Sequence, residues 1–235
     1  MHFIHHNRGK NMQIIKNVYQ LECSKRGHVF LIKSDESILI DTGMPGLTKK
    51  IISEIESLDV PIQTIKKILL THHDVDHIGN AKKLQEVTQA ELWASKEDIP
   101  YIVGAKNRPG IKRIIQAVVQ PQKPAVFDYY KENQCLGEIK VIHAPGHTPG
   151  HTIFQYRNVL FTGDLFEVLK GNFRLLPQFM NWNHEQVKKS IALIKDLKFD
   201  WICPSHGEPI QRGVVFEEFL NVIKHSNSKT TTTSD

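Results

Sequence analysis

Between Thr71 and His77 the chain reads Thr-His-His-Asp-Val-Asp-His, so four side chains of metal-binding type, His72, Asp74, Asp76 and His77, fall within six residues. Imidazole nitrogens and carboxylate oxygens are the usual ligands of divalent first-row ions. The run follows Ile65 to Leu70, an apolar stretch that reads as a buried strand, and precedes Asn80 to Thr88, which reads as a helix closing the loop from the far side. A strand end followed by a short loop can aim several ligands at one point. The run is therefore read as the first half of a metal site.

Three later positions share its local grammar. His147 lies in Ala144-Pro145-Gly146-His147, Asp164 follows Phe161-Thr162-Gly163, and His206 lies between Ser205 and Gly207. Each comes just after an apolar, strand-like run, with a glycine beside it that lets backbone approach closely. Together with the first loop they supply four histidines and three aspartates, enough for two divalent ions sharing one carboxylate and one solvent oxygen. Taken alone, the acidic loop could be a helix N-cap network with Asp76 as the cap, but the three matching contexts favour ligation. His151 suits a strand start or an outer partner of the site better than a ligand. His28 and His143 read as packing or surface residues, His184 as an ordinary first-turn residue, and Cys203 as core.

The elements that must position these residues begin as a meander: Ile14 to Leu21, His28 to Lys33, and Ser37 to Ile40 ending in Asp41-Thr42-Gly43. A helix follows from about Leu47 to Leu58, with Ile51, Ile52, Ile55 and Leu58 on one face, and Glu91 to Ala94 is a short strand. From about 95 to 137 prolines weaken the pattern, although Ile111 to Val119 can form a helix, and the segment reads as an insertion or lid over the site. Strands resume at Ile139 to His143, His151 to Tyr156 and Val159 to Phe161. A helix runs from Asn183, an N-cap with Gln186 at the capping-box position, to Leu197, and Trp201 to Cys203 is a last strand. Two successive sets of strands and helices suggest two similar halves, an α+β, four-layer αββα sandwich with its sheets face to face. One domain over residues 12–225 is expected, with 1–11 and 226–235 as flexible termini.

Aromatic and basic residues of the insertion (Tyr101, Phe127, Tyr129, Tyr130, Arg108, Arg113) and of the loop after Asp164 (Phe166, Phe173, Phe179, Met180, Trp182) could line a substrate pocket or form satellite cores. The net charge of +5 comes from scattered lysines without a run of like charges, so no nucleic-acid footprint is evident. The three cysteines, Cys23, Cys135 and Cys203, lack CxxC spacing, which argues against a disulfide framework or thiolate zinc site and for a reducing cytoplasm. No run approaches the ~18 apolar residues of a membrane span, and the first residues lack a signal-peptide core. The expected partner is a small-molecule substrate, without membrane or nucleic acid; a homodimer is admissible.

On these motifs the chain resembles the metallo-β-lactamase-fold superfamily, from Asp41-Thr42-Gly43 through Ser205-His206-Gly207. The family's usual HxHxDH appears here as His72-x-Asp74-x-Asp76-His77, and His73 is one residue out of register to restore it. The resemblance implies a first metal on His72, Asp74 and His147 and a second on Asp76, His77 and His206. Asp164 would bridge both, and Asp41 would steady a ligand histidine or the motif loop. A carboxylate at position 74 adds negative charge and a harder oxygen, which admits iron or manganese beside zinc. Asp76 and Asp164 are the expected catalytic carboxylates. The implied chemistry is attack by a metal-bridging hydroxide on an ester-like carbonyl or a phosphoryl centre, with Asp76 passing the proton to the leaving group.

Family members of similar layout are glyoxalase II-like thioesterases and acyl-homoserine-lactone lactonases, so a cytoplasmic dinuclear hydrolase of a thioester, lactone or other carboxylic ester is expected. Only about 30 residues follow His206, which argues against glyoxalase II activity itself. The alternatives are a phosphodiesterase of the same fold, a di-iron redox protein related to flavodiiron proteins, which also have a carboxylate at this position, and a catalytically silent binding protein.

Overall fold

The structure is a computed structural model that describes residues 12–229, divided between Tyr130 and Lys131 into two compact units. The first begins with an antiparallel meander, β1 (Met12–Ile15), β2 (Val18–Gln20), β3 (Phe30–Ile32) and β4 (Ser37–Ile40). The expected single strand from Ile14 to Leu21 is a hairpin instead, because Asn17 takes a left-handed φ of 68° between β1 and β2. Helix α1 (Thr48–Ser57) then leads to β5 (Ile65–Leu69). Next come α2 (Val75–Ile78), α3 (Ala81–Thr88), β6 (Glu91–Ala94), α4 (Ile99–Ile102), α5 (Ile111–Val119) and β7 (Asp128–Tyr129).

These strands form one seven-stranded sheet in sequence order, antiparallel as far as β4 and parallel from β4 to β7. Parallel neighbours need crossovers, and α1 and α3 supply them. Ile51 and Ile55 of α1 and Leu84 of α3 are fully buried with Leu39, Ile68 and Leu92 of the sheet. Burying each such side chain contributes roughly 1.5–3 kcal/mol. Because β4, β5 and β6 are parallel, their carboxyl ends share one rim, where loops rather than ladder bonds set the chemistry. Asp41 lies just beyond β4, and Thr71 to His77 just beyond β5.

The second unit contains β8 (Cys135–Leu136), β9 (Ile139–His143), β10 (Thr152–Tyr156), β11 (Val159–Gly163), β12 (Glu167–Leu169) and β13 (Asn172–Arg174). It continues through α6 (His184–Leu193), β14 (Trp201–Pro204), β15 (Ile210–Gln211) and α7 (Val214–Lys229). Its main sheet has the order β15-β14-β11-β10-β9-β8, and β12 and β13 make a separate hairpin. Only β11 and β14 are parallel neighbours; β9, β10 and β11 pair antiparallel. The ends of β9, β11 and β14 and the start of β10 therefore share one rim, and His147, Asp164, His206 and His151 follow or precede those ends.

The hairpin and α7 had no sequence expectation. They enclose an aromatic cluster in which Phe166 and Phe173 lie edge to face at 5.4 Å, with Phe216 and Phe219 against Phe173 at 5.1 and 5.5 Å. Phe166 and Phe173 are thus core residues. The expectation of flexible ends falls largely on residues 1–11 and 230–235, outside the described residues, while 226–229 belong to α7. Among the described residues no helix is long and apolar enough to cross a membrane.

Candidate metal centre

In the first unit the motif loop is organised around Asp41, which sits beyond β4 with a left-handed φ of 59°. Its Oδ1 accepts the Thr71 amide at 2.8 Å, and its Oδ2 accepts the Thr71 hydroxyl at 2.7 Å and His77 Nδ1–H at 2.8 Å. Asp41 thus steadies both the loop and a ligand histidine. The Thr71 proton is committed to a carboxylate, so the hydroxyl's lone pair accepts from His72 Nδ1, 3.0 Å away. Both rings are held as Nδ1–H tautomers, which gives each Nε2 a lone pair.

Those Nε2 atoms face carboxylates. His72 Nε2 lies 3.5 Å from Asp74 Oδ2, His77 Nε2 lies 3.9 Å from Asp76 Oδ2, and the two rings are 3.9 Å apart between centroids. Both histidines and Asp74 are buried, whereas the Asp76 side chain is 22% exposed. The N-cap position of α2 belongs to Asp74, whose side chain makes no capping bond, and Asp76 lies inside that helix. Helix capping therefore does not account for the acidic residues. Behind the loop, the Thr42 amide and hydroxyl both donate to the His77 carbonyl at 2.7 Å, and Asn80 donates from its amide group to the Thr42 and Met44 carbonyls.

His73 faces Asp74 Oδ1 across 3.7 Å with its Nε2 but has its nearer partners elsewhere. Its Nδ1 lies 3.0 Å from Asp98 Oδ2 and its ring stacks on Tyr101 at 4.4 Å. The His73 carbonyl accepts from Arg108, and Lys112 Nζ lies 2.6 Å from Asp74 Oδ2. Arg108 and Lys112 are both buried. Burial pulls the Arg108 guanidinium below its ordinary range, and Asp74, Asp98 and Asp76 oppose that shift. The sequence reading offered Arg108 only as a pocket candidate and did not single out Lys112. A lysine in the first turn of a helix inside a proline-broken segment looks like any solvated lysine. Tyr130, another pocket candidate, is buried beneath the loop with its hydroxyl 2.7 Å from the Trp93 carbonyl. Burial first, and then the charge of Asp41, hold that phenol well above its ordinary pKa.

In the second unit Asp164 Oδ2 lies 3.5 Å from His147 Nε2 and 3.2 Å from His206 Nε2, so one carboxylate oxygen meets two imidazoles. His147 Nδ1 meets Asn181 Oδ1 at 3.0 Å, and the Asn181 amide nitrogen is held by His184 Nδ1 at 3.0 Å. His147 is thereby set as the Nδ1–H tautomer, its Nε2 turned to Asp164. His151 serves as an outer partner: its Nδ1 donates to the Ala144 carbonyl at 3.1 Å and its Nε2 accepts the Asp164 amide at 3.0 Å. Both of its nitrogens are occupied in placing the β11 loop.

Two glycines allow the loops to dock. Gly146 has φ 139°, and a β-carbon there would lie 2.4 Å from the Val187 amide nitrogen of α6. Gly207 has φ 98°, and its β-carbon would lie 1.7 Å from the Val168 carbonyl oxygen, next to the bond from the Val168 amide to the His206 carbonyl at 3.0 Å. Asn183 caps α6 by accepting the Gln186 amide at 3.0 Å, and its own amide donates to the Gly146 carbonyl at 2.8 Å. Beside His147 an open groove of about 730 Å³ is lined by Phe179, Asn181, Trp182 and Asn183 among others, with Phe179 and Trp182 exposed. Cys203 is buried in β14, and burial pushes its thiol far up, which keeps it from acting as a nucleophile.

His72, Asp74, Asp76 and His77 in the first unit, and His147, Asp164 and His206 in the second, are candidate metal ligands. Lone-pair nitrogens and carboxylate oxygens held close together suit a divalent first-row ion, and the tied Nδ1 atoms supply the outer hydrogen bonds that such ligands require.

Comparison with known proteins gives a consistent result. The family model described as the metallo-beta-lactamase superfamily matches residues 25–206. A probable metallo-hydrolase of Bacillus subtilis (strain 168) is 28% identical over 190 residues, 78% of this chain and 81% of that one. A hydroxyacylglutathione hydrolase of Haemophilus influenzae is 33% identical over 168 residues, 66% of this chain and 71% of that one. Among solved structures, a subclass B3 metallo-beta-lactamase of Bradyrhizobium japonicum superposes with a TM-score of 0.70 at 24% identity, covering 94% of this chain and 93% of that one.

Proposed function

We propose, from the premise that this chain belongs to the metallo-β-lactamase superfamily and is a metal-dependent hydrolase, that it uses two divalent ions to hydrolyse a small ester-like substrate. The observation that carries this reading is the donor arrangement on each rim: Nε2 lone pairs turned to carboxylates, with Nδ1 protons tied to Asp41, Thr71 and Asn181. By the family resemblance alone, His72, Asp74 and His147 would be assigned to one ion and Asp76, His77 and His206 to the other, with Asp164 shared. Zinc is the first choice, and the Asp74 carboxylate admits iron or manganese. When bound, the ions supply an activated water and a Lewis acid for the substrate oxygen.

The chain's own groups do the rest. Asp41, through His77 and Thr71, keeps the histidines in the tautomer that ligates. His151 holds the Asp164 backbone so that the carboxylate meets both histidines of its rim. Asp76, the more exposed carboxylate of the motif, takes up the proton lost by the nucleophile and returns it to the leaving group. The groove with Phe179 and Trp182 offers apolar contact to an acyl or leaving group beside His147. A thioester, lactone or other carboxylic ester suits that surface, and one relative is named for hydrolysis of an acylglutathione.

Metal analysis of the purified protein, combined with chromogenic esters, thioesters, lactones and phosphodiesters, tests the proposal. Hydrolysis of a carboxylic ester or thioester should be abolished by chelation and fall more than about a hundredfold in Asp164→Ala and His147→Ala. A metal-free protein whose two variants match the parent in stability would sink the reading. Turnover of the phosphodiester alone would replace the substrate class.

A further inference from the structure

Lys112 is the second residue of α5, 7% exposed, with its ammonium 2.6 Å from Asp74 Oδ2. That same oxygen is the one facing His72 Nε2 at 3.5 Å, whereas Oδ1 faces His73 at 3.7 Å. An ion held jointly by His72 and Asp74 would therefore compete with the ammonium for that oxygen. Two cations at contact distance from one oxygen repel strongly where water is scarce, so one must leave.

The approach of Lys112 is built into the chain. Arg108, four residues earlier and 2% exposed, donates from Nε to the His73 carbonyl at 3.0 Å and a second time from Nη2. One short segment thus lays two buried cations against Asp74 and Asp76 of the motif run and Asp98 at the start of α4, and α5 packs on α2. Burying a lysine and an arginine is costly unless carboxylates offset it, and these carboxylates do so.

We propose that Lys112 is an internal counter-ion of Asp74 that holds the cation position between His72 and Asp74, so that a divalent ion enters there only by displacing the ammonium and thereby loosens α5. Taking His72 and Asp74 as ligands rests on the function proposed above. Linkage makes the effect reciprocal: the lysine weakens the ion by the factor by which the ion weakens the Lys112 contact. The two equivalents of metal should then bind unequally, the weaker one being the ion on His72 and Asp74.

The test is titration of the metal-free full chain with zinc against a chromophoric chelator, for the parent and Lys112→Met, with hydrogen exchange of residues 111–119 followed in the parent. The substitution should tighten the weaker equivalent by about tenfold, within the usual range of coupled sites, and leave the tighter one unchanged. In the parent, zinc should speed exchange in α5, a readout that stands even if Lys112→Met does not fold. Equal affinities in both proteins, or slower or unchanged exchange in α5 with zinc, would overturn the role of Lys112 while leaving the hydrolase reading intact. Absence of zinc binding in both proteins would overturn both.

Discussion

The two ligand rims are organised by different forces. In the first unit all four candidate ligands come from one run of six residues, and charge holds that run: Asp41 on His77, Lys112 on Asp74 and, beside the ligands, Asp98 on His73. In the second unit the three ligands come from three separate strand ends, and backbone docking holds them: Gly146 against α6, Gly207 against β12, His151 on the Asp164 amide. A rim held by charge can be retuned by its counter-ions. A rim held by backbone contact tolerates little change in shape.

The sharpest way to break that contrast is a methyl group. Gly207→Ala places a β-carbon where the Val168 carbonyl oxygen stands, at a φ of 98° that alanine avoids. The loop must move and take His206 with it, so the variant should lose roughly 2–4 kcal/mol of stability together with its metal. Urea unfolding with metal analysis checks this. A variant as stable and as fully loaded as the parent would show that the second rim is not held by close backbone approach.

A smaller effect is expected from the charge network. Asp41→Asn retains the shape of the side chain, but its charge disappears and one oxygen becomes an amide donor beside Thr71 and His77. Metal affinity should fall about 10- to 100-fold, as usual for loss of an outer partner, with stability changed less than in Gly207→Ala. Chelator competition and urea unfolding on the same protein separate the two outcomes. A larger loss of stability than of metal affinity would make Asp41 a scaffold residue rather than a ligand-orienting one.

The sequence shows the two rims unequally, for the same physical reason. Ligand types crowded into 72–77 are visible in any reading, and strand-then-glycine contexts single out His147, Asp164 and His206. Asn183 as a cap, the buried face of α1 and most strand limits were also legible, since each depends on neighbours within a few residues. Partners that arrive from far along the chain were not. Lys112 reaches Asp74 across 38 positions and Asn181 reaches His147 across 34, and neither carries a local signal. The hairpin β12–β13 escaped because Phe166 and Phe173 read equally well as a pocket lining, and α7 had no expectation at all; only tertiary packing joins Phe166 and Phe173 to Phe216 and Phe219.

The gentlest comparison sets the two histidine partners side by side. In the first unit a charged carboxylate meets His77 Nδ1 at 2.8 Å, and in the second a neutral amide meets His147 Nδ1 at 3.0 Å. A hydrogen bond to an ionised acceptor is roughly twice as strong as one between neutral groups, so the carboxylate raises ligand basicity more. Asn181→Ala should therefore cost less than Asp41→Asn, about tenfold or below in metal affinity. The Trp182 amide still donates to the His147 carbonyl at 3.0 Å and holds the loop, so the ring loses its tautomer control but not its place. If Asn181→Ala weakens metal more than Asp41→Asn does, the second rim depends on side-chain polarity after all, and the division between a charged rim and a docked one fails at His147.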